Sequence, residues 1–242
     1  MKYIASCSFG KDSLAMILTI LRHGLPLDEV IYCEVMFDEN ISGEYPEHAA
    51  FIHNKAIPIL ELCYGLKVTV LRASTNYKEQ FYRPRSKGER IGQPTGFPTL
   101  WSPWCNGYLK RKPLQEYRAK QGPMHEYVGI AVDEPKRLER LLKKPNVSAP
   151  LADFNITEAE ALELCRETFL LSPIYATHKR NGCWFCHNAR LADMRRLYSN
   201  HPDLWAELRT MQSSAWNGFT KRNTIFDLEK RFEKETLNET SG

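Results

Sequence analysis

The feature that most limits how this 242-residue chain can fold is the regular exchange of two hydrophobic periods. Short apolar runs, KYIASC (2–7), VIYCEVMF (30–37), LKVTVLR (66–72) and EYVGIAV (126–132), read as buried strands. Between them stand helical stripes. Leu14, Ile17, Leu18 and Leu21 fall on one face of a helix, which Gly24 and Pro26 stop. A second helix runs from about Pro46 to Cys63, and the charged helix EPKRLERLLKK follows the fourth strand. Parallel strands need crossover connections, and helices supply them. The expected fold is therefore α/β, a mostly parallel Rossmann-like sheet with helices on both faces. From about residue 157 the pattern is helical (TEAEALELCRETF, ARLADMRRLY, DLWAELRTMQ), giving a helical C-terminal extension whose polar tail, after about Asp227, is expected to fray. Residues 83–98 break every period and read as a mobile loop.

A chain that is 43% hydrophobic has enough apolar surface for a substantial core and does not have the composition of a disordered chain. Its net charge is only +4, yet between Arg83 and Lys120 nine Lys/Arg face two Glu, a local excess of seven positive charges. Such a cluster is either a solvated basic face or a surface for an anionic partner, a nucleotide or a nucleic acid. The N-terminus has no apolar h-region, and the longest apolar stretch, LAMILTIL, is too short to cross a bilayer. No membrane partner is expected, and the expected location is cytoplasmic. An odd number of cysteines, seven, then reads as thiols or metal ligands rather than disulfides.

The first strand ends in Ser8-Phe9-Gly10-Lys11-Asp12-Ser13 and runs straight into a helix. Free N–H groups at that helix start, together with its dipole, favour an anion. Gly10 permits close approach, Lys11 adds charge from an expected exposed position at the turn, and the Ser8 and Ser13 hydroxyls can donate to phosphate oxygens. An ordinary N-cap would account for one of these residues, not for the set. The spacing is neither the Walker A pattern nor G-x-G-x-x-G.

S-F-G-K-D-S resembles the S-G-G-x-D-S fingerprint of the PP-loop superfamily (adenine nucleotide alpha hydrolase-like), with Phe9 in place of the first glycine. The Lys and the following Leu-Ala resemble its phosphoadenosine phosphosulfate (PAPS) reductase family. VMFDENISGEYPEH resembles that family's second-strand segment through Asp38, Pro46 and Glu47. WCNGYLKRKPLQEY resembles its Cys-containing stretch with a basic pair, and GIAVDEPKR its glycine-led segment, here with Ala131 where an Arg is usual. The resemblance covers roughly residues 1–190 in order. It implies an adenine-nucleotide site, for ATP, PAPS or adenosine phosphosulfate (APS) with Mg²⁺. That site would be formed by Ser8–Ser13, Asp38 and Gly129, with Lys11, Asp12, Lys110 and Arg137 as candidate catalytic groups. Asp12 or Asp38 would hold the Mg²⁺. Strand C-termini in an open parallel sheet are also where ligands bind. The expected domains are a nucleotide-binding α/β domain over 1–176 and a helical region over 177–242 packed on it.

Cys183-x-x-Cys186-His187 has four chemical readings: c-type haem attachment, a redox pair, a metal site, or two packed thiols. The missing export signal disfavours haem, and the Gly-Asn context disfavours packing. The family resemblance places Cys105 near this pair, because some members carry Cys-Cys…Cys-x-x-Cys iron–sulfur clusters. It thereby implies either a zinc site of Cys105, Cys183, Cys186 and His187 or a [4Fe–4S] cluster on the three cysteines. Cys7, Cys33, Cys63 and Cys165 are expected in the core. No cysteine follows Cys186, where the family's reductases carry their attacking thiol. The favoured reading is ATP- or sulfonucleotide-dependent adenylation or sulfur transfer, with tRNA or DNA as a candidate acceptor. The alternatives are a sulfonucleotide reductase with a displaced thiol and a non-catalytic nucleotide- or nucleic-acid-binding module.

Overall fold

The computed structural model describes residues 1–240. Its contacts divide the chain into two compact units. One is built from Met1–Glu34, Glu44–Arg72 and Lys112–Asn181, the other from Val35–Gly43, Ala73–Arg111 and the chain from Gly182 onward.

The first unit holds five parallel strands, β1 (Lys2–Cys7), β2 (Glu29–Cys33), β3 (Val68–Leu71), β4 (Met124–Val128) and β5 (Val147–Ser148), in the order β3-β2-β1-β4-β5. β1 is central, pairing Ala5 with Val30 on one side and with Tyr127 on the other. α1 (Lys11–Arg22) starts four residues after β1 ends. It stops where His23, Gly24 and Leu25 donate back to Thr19, Leu21 and Ile20, a closure that uses the positive φ of Gly24. α2 (Pro46–Phe51) continues through two π-helical stretches, Ile52–Ala56 and Ile59–Cys63. Ala5, Leu14, Ile17, Ile52, Leu60, Tyr127, Leu151 and Leu164 share one buried cluster, so strands and helices close on a common core.

The second unit contains α3 (Tyr77–Tyr82), whose capping box joins Asn76 and Glu79. The first unit continues with α4 (Lys112–Lys120), α5 (Pro135–Leu141), α6 (Pro150–Asp153) and α7 (Glu158–Glu167). α8 (Leu191–Asn200), α9 (Pro202–Ser214) and α10 (Ile225–Thr240) complete the second unit. Its interior is aromatic: Phe37, Tyr77, Phe81, Phe97, Trp184, Phe219 and Phe232 are all fully buried.

Four expectations are corrected. The second strand ends at Cys33 rather than continuing to 37. Asp38 Oδ1 accepts the Asn40 and Ile41 N–H groups, and the resulting turn folds Val35–Gly43 back on itself, with Gly43 donating to Val35. The fourth strand likewise ends at Val128, where Ile130 donates to the Val128 carbonyl and the chain turns. Cys63 is exposed, because the wider π turns carry it off the apolar stripe, whereas Cys7, Cys33 and Cys165 are buried. The tail beyond Asp227 is helical: Ile225, Leu228 and Phe232 are buried on one face of α10, and Thr224 and Asp227 cap its start. Among the described residues no helix is long and apolar enough to cross a membrane.

Candidate functional site

Phe9 forms the turn between β1 and α1 with φ +54°, and its fully buried ring stands edge-on to Tyr32 at 5.0 Å. Gly10 then takes the N-cap position in extended conformation with no side-chain cap, so the first N–H groups of α1 stay open. Lys11 N–H is taken by the Tyr175 hydroxyl at 2.9 Å. Those of Gly10, Asp12 and Ser13 find no acceptor among the described residues. The Ser13 hydroxyl points inward, accepting from Ser8 N and donating to the Gly10 carbonyl, and so braces the turn instead of facing a ligand. From above, the Asn181 amide donates to the Ser8 carbonyl at 3.1 Å.

Gly129, one residue past β4, packs against the first turn of α1 so closely that a Cβ there would lie 2.7 Å from the Asp12 carbonyl oxygen. The loop thus sits at the carboxyl ends of β1 and β4, where strand order changes direction, the place where open parallel sheets bind ligands.

Lys11 is buried at 7% exposure, not exposed at the turn as expected. Its Nζ lies 2.6 Å from Asp12 and 2.9 Å from Glu158. Burial works to lower the Lys11 ammonium, but these two carboxylates outweigh it and hold it above its ordinary value. Burial raises Asp12, and Lys11 only partly offsets that. Beneath the turn, His48 is completely buried, with Nδ1 2.7 Å from the Ser172 hydroxyl. Burial lowers its pKa to about 4 despite a hydrogen bond with the Ser8 backbone, so the imidazole is neutral. Tyr175, Asn181, His48 and Glu158 carry no motif that singles them out in the sequence.

Three further candidates are Arg137, Asp38 and Lys110. Arg137 pairs at 2.5 Å with Glu134, the N-cap of its helix, and the Glu134 charge helps to raise Asp12. Asp38 and Lys110 belong to the second unit, Asp38 in a cleft of about 320 Å³ beside Lys78.

Cys105, Cys183 and Cys186 also lie in the second unit, around the fully buried Tyr77. The Tyr77 hydroxyl has no hydrogen-bond partner among the described residues. Burial raises its pKa, and the three neighbouring thiols raise it further. Burial, together with Cys186, pushes the Cys105 thiol up to about 11. The three thiols thus share the neighbourhood of one orphaned hydroxyl. No three His, Cys, Asp or Glu side chains among the described residues stand close enough together to hold a metal as they are. His187 instead lines a cavity of about 640 Å³.

No family model matches the chain, and no curated protein matches it. Among solved structures, PAPS reductase from Candida auris, in its phosphate complex, superposes with a TM-score of 0.50 and 14% identity, over 77% of this chain and 83% of that one. The chain shares the fold of that PAPS reductase. The U34-tRNA thiolase NcsA from Methanococcus maripaludis, solved with its [4Fe–4S] cluster, also matches, at TM-score 0.42 and 18% identity, over 97% of this chain and 71% of that one. The turn at Phe9 fits the fingerprint it resembles in sequence. A glycine stands there in the fingerprint, and a left-handed φ is what glycine adopts most readily.

Proposed function

We propose that this chain is a PP-loop enzyme that binds an adenine nucleotide, ATP or the sulfonucleotides PAPS and APS, at Ser8–Ser13 and performs adenylation or sulfur transfer on a nucleic-acid acceptor. One observation carries the reading: three open N–H groups at the start of a 12-residue helix, held by a left-handed turn at the carboxyl end of the central strand. Oriented N–H groups that need not reorganise are suited to charge developing on a departing pyrophosphate. An arriving phosphate would draw Lys11 from its two carboxylates, leaving Asp12 to hold Mg²⁺. The basic run from Arg83 supports the acceptor's class.

Burial raises the two thiols nearest the loop, Cys7 to about 11 and Cys165 to about 12, so neither supplies the displaced nucleophile of a reductase. In this reading Cys105, Cys183 and Cys186 would hold a [4Fe–4S] cluster or Zn²⁺, which supplies a sulfur-handling or a structural centre. Iron and zinc analysis of anaerobically purified protein tests that part.

Pyrophosphate release from ATP, with and without tRNA or duplex DNA, tests the reaction. Thioredoxin-dependent sulfite release from PAPS would favour the reductase instead. Titration calorimetry on Lys11→Ala, checked for folding by circular dichroism, tests the site. Unchanged affinity for both ATP and PAPS would remove the phosphate-loop assignment.

A further inference from the structure

The cavity of about 640 Å³ in the second unit has a volume typical of small-molecule pockets, roughly 300–1,000 Å³. Its lining includes Trp101, Trp216, Lys221 and Arg222 and, among the described residues, no Asp or Glu. Trp101 is 94% exposed, an indole that no core packing explains. His187 is nine-tenths buried in the wall, and its Nε2 has no partner among the described residues. Asn188, which is exposed, and Asn223, which is half-buried, also line the wall, and their side-chain amides make no hydrogen bond to the described residues. A concave site with an open aromatic face, one buried unpartnered imidazole nitrogen and two accessible amides matches a planar heteroaromatic ring.

The surrounding charge specifies what carries that ring. Arg90 and Arg85 lie over the Trp216 ring at 4.4 and 5.2 Å. Their loop is latched to the cavity wall: Trp216 Nε1 donates to the Thr95 carbonyl, and Asn217 exchanges hydrogen bonds with both Phe97 backbone groups. Arg83, Arg85, Lys87, Arg90, Lys221 and Arg222 have no carboxylate partner among the described residues, and Arg85 Nε is buried without an acceptor. Unpaired cations beside an aromatic platform are the combination that single-stranded nucleic acids use, phosphates on the cations and bases on the rings.

We propose that this cavity binds an unstacked base of a single-stranded nucleic acid, stacked on Trp101, with the flanking phosphates on Lys221, Arg222 and the Arg85–Arg90 loop. The proposal rests on the reading above only for the acceptor's chemical class.

Fluorescence anisotropy of the full chain at low salt tests it, with labelled oligo(U), oligo(dT) and a duplex of equal length. Single strands should bind more tightly than duplex, and the oligo(U) and oligo(dT) arms separate RNA from DNA. Trp101→Ala should weaken single-strand binding on the order of ten-fold, as loss of one base–aromatic stack implies, and leave duplex binding unchanged. The exposed position keeps this variant folded. Lys221→Glu combined with Arg222→Glu should weaken both and flatten the salt dependence. Equal affinity for duplex, or a silent Trp101→Ala, overturns the base pocket. So does Trp101-dependent cosedimentation with phosphatidylserine vesicles in the absence of oligonucleotide binding. ATP titration in parallel separates the two readings. ATP bound without oligonucleotide defeats this inference alone. Trp101-dependent oligonucleotide binding without ATP binding defeats the nucleotide loop alone.

Discussion

Phe9 sets two costs against each other. A side chain at φ +54° is strained by about 1–2 kcal/mol, while emptying a buried Phe site costs about 3–5 kcal/mol. Packing should win, so Phe9→Gly is expected to destabilise by about 2–3 kcal/mol although glycine suits the turn. A urea midpoint equal to or above wild type would show that the strain dominates. Lys11 is the second informative residue. In the proposed nucleotide site Glu158 would compete with phosphate for its Nζ, and Glu158 is part-exposed, so the pair is worth at most about 1 kcal/mol. Glu158→Gln should therefore tighten ATP binding by up to roughly five-fold in calorimetry, and weaker binding would show that the carboxylate positions Lys11 for the ligand. The turn from β1 into α1 was legible because its residues are contiguous in sequence. Lys11's burial was not, because its partner Glu158 and the acceptor of its N–H, Tyr175, come from far along the chain and meet it only in the folded sheet unit.

Elements with one clean period were readable, and those shaped by a local polar contact were not. Central β1, α1 and α7 follow their apolar patterns, whereas β2 is cut short by the Asp38 turn, which competes with the strand ladder through two side-chain hydrogen bonds. β5 is two residues long and has no period to detect. α10 is polar on average, so only its buried Ile225, Leu228 and Phe232 mark it as helix. At this scale the contact between the end of β4 and α1 makes the sharpest prediction. A methyl on Gly129 would meet the Asp12 carbonyl oxygen and carbon and Ser13 Cα at 2.7–2.9 Å, all backbone atoms that cannot rotate away. Gly129→Ala should cost about 1–3 kcal/mol by overpacking. It should also shift the first turn of α1 enough to weaken nucleotide binding, while Gly122→Ala, which meets nothing within 4 Å, serves as control. Normal ATP affinity in Gly129→Ala would mean that the loop tolerates displacement and that its open N–H groups are not the binding element.

Across the whole sheet unit, two buried groups couple folding to pH in the same direction. The Glu29 carboxylate at the start of β2 is fully buried, and burial alone would raise it. Lys2 of β1, Thr69 of β3, Tyr117 of α4 and Lys67 reverse that and hold it at about 2, against an ordinary 4.5. The unfolded chain therefore takes up this proton first as pH falls. The stabilisation is whole above about pH 4.5 and is lost progressively towards pH 2. His48 is held at about 4 against 6.5, mainly by burial, so its unfolded form protonates first as well, and stability falls from about pH 6.5 down to 4. Urea midpoints taken from neutral pH downward should thus decline in two overlapping stages, the first from His48 and the second from Glu29. Glu29→Gln should be less stable than wild type at neutral pH, because Lys2 and Lys67 lose their shared carboxylate. Its midpoint should then lie flatter than wild type below pH 4.5, since the group that titrates there is gone. A Glu29→Gln curve that runs parallel to wild type through that window would show that the Lys2–Glu29–Tyr117 network does not set the acid sensitivity of the sheet.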